Sequence, residues 1–209
     1  MNIDDLVELI ESSNVNDYGI KNWEQQPSFF ESVFNKINLD KSSDLLFLEL
    51  GVFSGHTLSI ISSLTKDIEV YGFDTFDGLP EDWVDGDGNT LYPKNSFSTA
   101  KPEDTKKNKY IEGDVEKTLL PFLKEQNKKV KFVHFDLDLY APSKFSLNSL
   151  YDWLDDESFL VLDDVYAYPG WEEHTLKALA DTIDLNRFNI EFLSTCGWTS
   201  GWASLAIKL

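Results

Sequence analysis

The sequence has one cysteine, Cys196, and one methionine, Met1. A lone thiol excludes an internal disulfide framework, and with only three histidines no Cys/His cluster suggests zinc. Positive charge is scarce: 18 Lys and Arg stand against 37 Asp and Glu, a formal charge of −19. A field of that sign repels phosphates, so neither nucleic acid nor an anionic membrane is an expected partner. Lysines do gather at Lys106, Lys107 and Lys109 and at Lys128, Lys129 and Lys131. Both groups stand just before apolar runs and read as solvated loops. No apolar stretch reaches the roughly 18–20 residues that a membrane span needs. The start, MNIDDLVELIESS, lacks the basic end and apolar centre of a signal peptide. The expected compartment is the cytoplasm.

What is present suits one globular domain: 209 residues, 42% hydrophobic and 14% aromatic. Residues 1–13 and 27–37 carry apolar side chains at helical spacing, and residues 1–40 read as an N-terminal helical cap. From residue 41 to 209 strand and helix patterns alternate. Strands are expected at 44–50, 68–74, 109–113, 130–136 and 158–163, with helices at 56–64, 115–126, 143–154 and 171–183. A long turn-rich connection spans 75–107, and the end, NIEFLSTCGWTSGWASLAIKL, reads as two strands. The expected fold is therefore α/β: a Rossmann-like, doubly wound, seven-stranded, mostly parallel sheet with helices on both faces. The last strand must be antiparallel, because a short loop cannot make a parallel crossover.

Ligands of such sheets sit beyond the carboxyl ends of the strands, and there the acids fall: Glu49, Asp74, Asp114, Asp136 and Asp163. ELGVFSGHT places Gly51 and Gly55 in a strand-to-helix turn, spaced neither as a dinucleotide fingerprint nor as a P-loop. Glu49 would repel a pyrophosphate but accept bonds from an ammonium. Asp74 stands where an acid meets ribose hydroxyls, and Asp114 where a side chain can meet an adenine edge. S-adenosylmethionine, a nucleoside cationic at its far end, fits that arrangement.

ELGVFSGHT, FDTFDGLPEDW, IEGDVEKTLLPF, VHFDLDLY and VLDDVYAYPGW together resemble the class I S-adenosylmethionine-dependent methyltransferases. More closely the chain is similar to the TylF/macrocin O-methyltransferase family, whose members methylate hydroxyls of natural-product sugars. The resemblance spans residues 44–209 and implies S-adenosylmethionine as methyl donor and a divalent metal, magnesium or else calcium. It implies that Glu49, Gly51 and Gly55 line the methionine end, Asp74 the ribose and Asp114 the adenine. The implied metal ligands are Asp136, Asp163 and Asp164. In such families the N-terminal region often shapes the substrate pocket or the dimer, and that segment is short here, so the acceptor is not carried over with the fold and is expected only to be a small polyhydroxylated molecule, a sugar or glycosylated metabolite.

Parallel neighbours lie about 4.8 Å apart, so carboxylates at adjacent strand ends can share one ion. Within a regular strand Asp163 and Asp164 would face opposite ways; both reach one ion only if the chain has turned at Asp164. Asp136 is the expected proton acceptor. Asp138 is read as an outer group, a base or a helix-approach residue, and Lys144 is not assigned as a base. EDWVDGDGNT fails as a calcium loop, because the twelfth position from Asp85 is Ser96; a flexible lid is expected there instead. His134 reads as packing, His56 and His174 as weak candidates. Tyr140, Tyr166, Tyr168, Trp171, Trp198 and Trp202 are expected near the site. Two other readings stay open: a nicotinamide-dependent oxidoreductase on a similar sheet, and a binding protein that keeps cofactor and metal without transfer. The N-terminal helices are candidates to pair two subunits as a homodimer.

Overall fold

The computed structural model describes residues 1–19, 26–41, 44–184, 187–199 and 201–209. Ten strands are present among them: β1 (Asn16–Asp17), β2 (Leu46–Leu50), β3 (Val70–Asp74), β4 (Trp83–Val84), β5 (Thr90–Tyr92), β6 (Asn108–Glu112), β7 (Val130–Phe135), β8 (Phe159–Tyr166), β9 (Glu191–Cys196) and β10 (Ala203–Lys208). The α-helices are α1 (Ile3–Ser12), α2 (Gln26–Phe34), α3 (His56–Leu64), α4 (Val115–Gln126), α5 (Tyr140–Leu150) and α6 (Thr175–Thr182).

The main sheet has the order β1-β9-β10-β8-β7-β2-β3-β6. It holds the seven expected strands, and the two-residue β1 adds an edge by pairing parallel with β9. β10 alone runs antiparallel, between β8 and β9. The strand order reverses between β2 and β7, which pair in parallel. Ligand sites of open α/β sheets form at such a reversal, beyond the strand ends.

The central strands are apolar on both faces because both faces are covered. β2 (LFLEL) and β7 (VKFVHF) are buried along their whole length. Lys131 of β7 is the exception that explains itself: its stem lies over the Phe159 ring and its ammonium reaches the Glu157 carbonyl at 2.6 Å. Leu46, Leu48 and Leu50 join α1, α4, α5 and α6 in one core, while Phe47 and Val52 join α2 and α3 in the other. The N-terminal helices thus lie on opposite faces of the sheet. Leu6 and Ile10 of α1 and Phe29, Phe30, Val33 and Phe34 of α2 spend their apolar faces within the chain.

Local signals set the helix ends. Asp114 caps α4 by accepting the Glu116 N–H at 3.0 Å, and Asn127 ends it with φ 49°. α5 starts at Tyr140, three residues before the expected start, because Pro142 is tolerated in a first turn. No helix among the described residues is long and apolar enough to cross a membrane.

Candidate active site

A cavity of about 720 Å³ opens at the reversal between β2 and β7, a size typical of small-molecule sites. Its floor is the turn after β2. Gly51 is there by necessity: its φ is +82°, and a Cβ would lie 1.7 Å from the Asp136 carbonyl oxygen. The Asp136 N–H donates to the Leu50 carbonyl at 2.8 Å, so the ends of β2 and β7 are laced together with no room for a side chain. Gly55, with φ +78°, starts α3 directly over the Tyr110 hydroxyl.

Asp74 stands at the end of β3, as expected, and lines the cavity. Its carboxylate already holds the turn: Oδ2 accepts the N–H groups of Val52 at 2.7 Å and Phe53 at 2.8 Å, and Oδ1 accepts that of Phe76 at 2.8 Å. Asp114 also lines the cavity. Burial works against its charge, but the Lys117 ammonium at 3.0 Å and the Glu116 N–H outweigh it and hold the carboxyl below its ordinary range.

Glu49 departs from the expectation that it lines the methionine end. It is 1% exposed, is not among the cavity-lining residues, and pairs with His134 Nδ1 at 2.9 Å. The cause is strand alternation: Glu49 points with Phe47 to the α2 and α3 face, where Phe30 packs edge-on to His134 at 5.2 Å. Burial first, and then the charges of Asp136, Asp74 and Asp163, push the Glu49 carboxyl well above its ordinary 4.5. A carboxyl raised on folding stabilises fully below its unfolded value, and that stability is lost as pH rises through the folded one. Glu49→Gln should therefore be more stable than wild type at pH 8, the gap closing toward pH 5. Urea midpoints across that range check this; a less stable variant at pH 8 would show that the buried carboxylate is ionised and needed.

The aspartates at the ends of β7 and β8 form two overlapping groups. Asp136, Asp138 and Asp164 have carboxylate oxygens within 4.8 Å of one another, and His134, Asp136 and Asp163 make a second set within the same limit. The structure thus gathers Asp138 with Asp136 and Asp164, where the sequence reading placed Asp163. The cause is a bulge. β8 does not turn away at Asp164 but runs on to Tyr166, advancing four residues from Leu162 while β10 advances two, from Leu205 to Ala203. Asp164 adopts φ 47° and swings toward Asp138, itself at φ 60°. Asp163 is buried, 4% exposed, and accepts a hydrogen bond from the Ser204 hydroxyl, though it still lines the cavity. Unit charges about 5 Å apart at an effective dielectric of about 20 repel by roughly 3 kcal/mol, so the group stores repulsion that a cation would release. All-oxygen carboxylate donors suit a hard divalent ion, magnesium or calcium.

The wall opposite comes from residues 75–107. β4 and β5 form a hairpin whose Trp83 is 1% exposed and packs edge-on to Tyr168 at 5.4 Å and Trp202 at 5.5 Å. Asp85, in the stretch rejected above as a calcium loop, closes the hairpin by accepting the N–H groups of Asp87 and Asn89. The segment expected as a lid packs Leu79, Trp83 and Tyr92 against Tyr168 and Trp202, and Gly170 allows the approach: a Cβ there would come within 2.7 Å of the Asp85 backbone. Trp83, Tyr92, Phe97 and Trp202 face the cavity. Of the aromatics expected there only Trp202 does so. Tyr166 instead stacks on Trp198 at 4.3 Å, and Tyr140 bonds Asp181. His174 donates to or accepts from no cavity group; its Nε2 meets the Val84 carbonyl at 3.0 Å behind Trp83. His56 does not line the cavity either.

Phe53, Phe97, Asp138, Asp164 and Trp202 all line the cavity with positive φ. Left-handed conformations are costly for such side chains and concentrate where function demands them.

No protein-family model matches the chain, and no curated protein matches it in sequence. Solved structures do. The calicheamicin methyltransferase CalS11 superposes with a TM-score of 0.68 at 20% identity, over 90% of this chain and 80% of that one. The O-methyltransferase NovP gives 0.56 at 16% identity, over 88% and 78%. An O-methyltransferase from Bacillus cereus, in complex with SAH (S-adenosylhomocysteine), gives 0.53 at 9% identity, over 99% and 90%. The chain has the Rossmann-like fold of these class I methyltransferases.

Proposed function

We propose that the chain is an S-adenosylmethionine-dependent O-methyltransferase that uses a divalent cation and acts on a hydroxyl of a small polyhydroxylated acceptor, a sugar or glycosylated metabolite. The observation that carries this reading is the cavity at the strand reversal, with a glycine turn and Asp74 and Asp114 on one side and a four-aspartate cluster on the other. The likeness to CalS11, elsewhere described as a TDP-rhamnose 3'-O-methyltransferase, supports the sugar acceptor. Residues 41–209 are the catalytic domain in this reading, and α1 and α2 of residues 1–40 pack against it.

The residues fit both groups. Asp136 belongs to both acidic sets, so it holds the cation with Asp164; Asp163 supports them from the buried side, where Ser204 fixes one of its oxygens. When bound, the cation neutralises these carboxylates and makes a nearby acceptor hydroxyl more acidic. When bound, the cofactor supplies a sulfonium methyl, whose bond to sulfur breaks as a bond to the acceptor oxygen forms. Gly51 gives the turn its close approach to β7, and Gly55 lets α3 begin at once. Asp74 lines the cavity and, with three of its roughly four lone-pair sites taken by the turn's N–H groups, has one left for a ribose hydroxyl. Glu49 acts from below, through His134, rather than by touching the cofactor.

The sequence reading gave the hydroxyl proton to Asp136. A carboxylate that ligates a cation is a weakened base, and Asp138 faces the same cavity within 4.8 Å of Asp136 and Asp164. Asp138 is therefore the better proton acceptor, with Asp136 as ligand. Holding both reactants in one closed cavity supplies much of the remaining acceleration.

Calorimetric titration of the full chain with magnesium tests the cation site. One ion should bind to wild type and bind at least about tenfold more weakly to Asp164→Asn; equal affinity for both would remove Asp164 from the site.

A further inference from the structure

Resting on the methyltransferase reading and its cation, we propose that His134, clamped by Glu49, is the positioning residue of the cation site. It sets how Asp136 and Asp163 lie, so two side chains that line no part of the cavity fix how tightly the cation binds.

The central strands, in the order β10-β8-β7-β2, carry the argument. Phe47, Phe132 and Phe159 stand in register across β2, β7 and β8, each at most 1% exposed. Two residues further along, the same face turns polar. Glu49 pairs in register with His134, and His134 with Val161. Asp163 follows Val161 on that face, and the Ser204 hydroxyl of β10 donates to it. Glu49 and His134 are 1% exposed, Asp163 and Ser204 4%. A polar band, one side chain from each of four strands, thus runs under the cavity between an apolar core and the acidic cluster.

The core does not need that band. A buried ionisable pair seldom repays its desolvation, and apolar residues of similar volume often serve stability as well or better. Beside a metal site such groups have another use, because they orient the ligands. The geometry suits this use. Glu49 Oε1 meets His134 Nδ1 at 2.9 Å, and Phe30 of α2 packs edge-on to the imidazole at 5.2 Å, so one bond and one packed edge hold the ring. A ring nitrogen of His134 lies within 4.8 Å of carboxylate oxygens of both Asp136 and Asp163. With Nδ1 engaged by Glu49, Nε2 is the nitrogen that serves the aspartates. Ser204 holds Asp163 from the other side, and Asp136 carries the arrangement on to Asp138 and Asp164, since it belongs to both sets. Through Phe30, α2 also supports the site.

The test titrates the full chain with magnesium and, separately, with S-adenosylhomocysteine in a calorimeter, and records melting curves in EDTA. Wild type comes first. If it binds no S-adenosylhomocysteine the methyltransferase reading has failed; if it binds no magnesium the cation has; in either case the proposal falls for that reason. Glu49→Leu and His134→Leu are then made together, which leaves neither partner buried alone. This double variant should melt at or above the wild-type temperature and keep its S-adenosylhomocysteine affinity, yet bind magnesium about 10–100-fold more weakly. Glu49→Gln, whose amide can bond Nδ1 in either tautomer, should bind magnesium as wild type does. Unchanged magnesium affinity in the double variant would overturn the proposal, and so would a Glu49→Gln as weak as the double variant. A loss of magnesium that comes together with a lower melting temperature and lost S-adenosylhomocysteine binding would overturn it too, by showing a purely structural role.

Discussion

Asp136→Asn loses methyl transfer on the order of 10³-fold while S-adenosylmethionine affinity stays nearly unchanged. Asp136 belongs to both acidic groups, so its carboxylate is the one a cation at this site depends on most. Electrostatic groups at a reacting centre are worth about 10²–10³-fold each, and loss of the cation removes more than one such interaction. In the proposed reading the cofactor lies on the other side, along the lining residues Gly51, Val52, Asp74 and Asp114, and does not require the Asp136 charge. Stability should move the opposite way from activity. Removing one of several crowded carboxylates relieves repulsion, so metal-free Asp136→Asn should melt at or above the wild-type temperature. Rates of label transfer from methyl-labelled cofactor, paired with melting curves in EDTA, measure both. A variant that turns over normally, or one that melts lower without metal, contradicts the assignment.

Gly51→Ala should prevent the site from forming. A Cβ would lie 1.7 Å from the Asp136 carbonyl oxygen and 2.6 Å from its carbon, and φ +82° is unfavourable for alanine. Neither neighbour is the end of a flexible side chain; both are backbone atoms of Asp136, just past the end of β7 and tied to Leu50 by a hydrogen bond. The cost should be about 4 kcal/mol or more, a large part of the 5–15 kcal/mol that typically separates folded from unfolded chains. Gly88→Ala is the control: its φ is +84°, but no atom lies within 4 Å of the added Cβ. Only the backbone term, about 1–2 kcal/mol, should appear there. Urea midpoints compare the two. Equal effects would show that β2 and β7 do not approach as closely as described.

Local chemistry made much of this fold legible in the sequence. The apolar runs of β2 and β7 follow from burial on both faces, α4 is bounded by the Asp114 cap and Asn127, and α3 begins at His56 as the Gly55 turn dictates. Acids at strand ends pointed to the correct end of the sheet, because Asp74, Asp114, Asp136 and Asp163 do line the cavity. Alternation along β2 gives Glu49 the parity of Phe47, so it turns away from the cavity. The rest depends on distant partners. Nothing near Asp164 announces a bulge that exists only in the register of β8 against β10, and that bulge decides which aspartates meet. Trp83, Tyr92 and Phe97 sit in a connection without periodicity, where only the packing against Tyr168 and Trp202 reveals a wall. A hairpin signal was present there in DGDGN, but a turn does not say what it covers.

The measurement that tests the account most directly is calorimetric titration of the full chain with S-adenosylmethionine, in magnesium and then in EDTA, with NAD as control. The account predicts one site of micromolar affinity for S-adenosylmethionine in both buffers, since the turn and Asp74 bind it without the cation, and no binding of NAD. Binding of NAD in preference, or no binding of S-adenosylmethionine in either buffer, would contradict it.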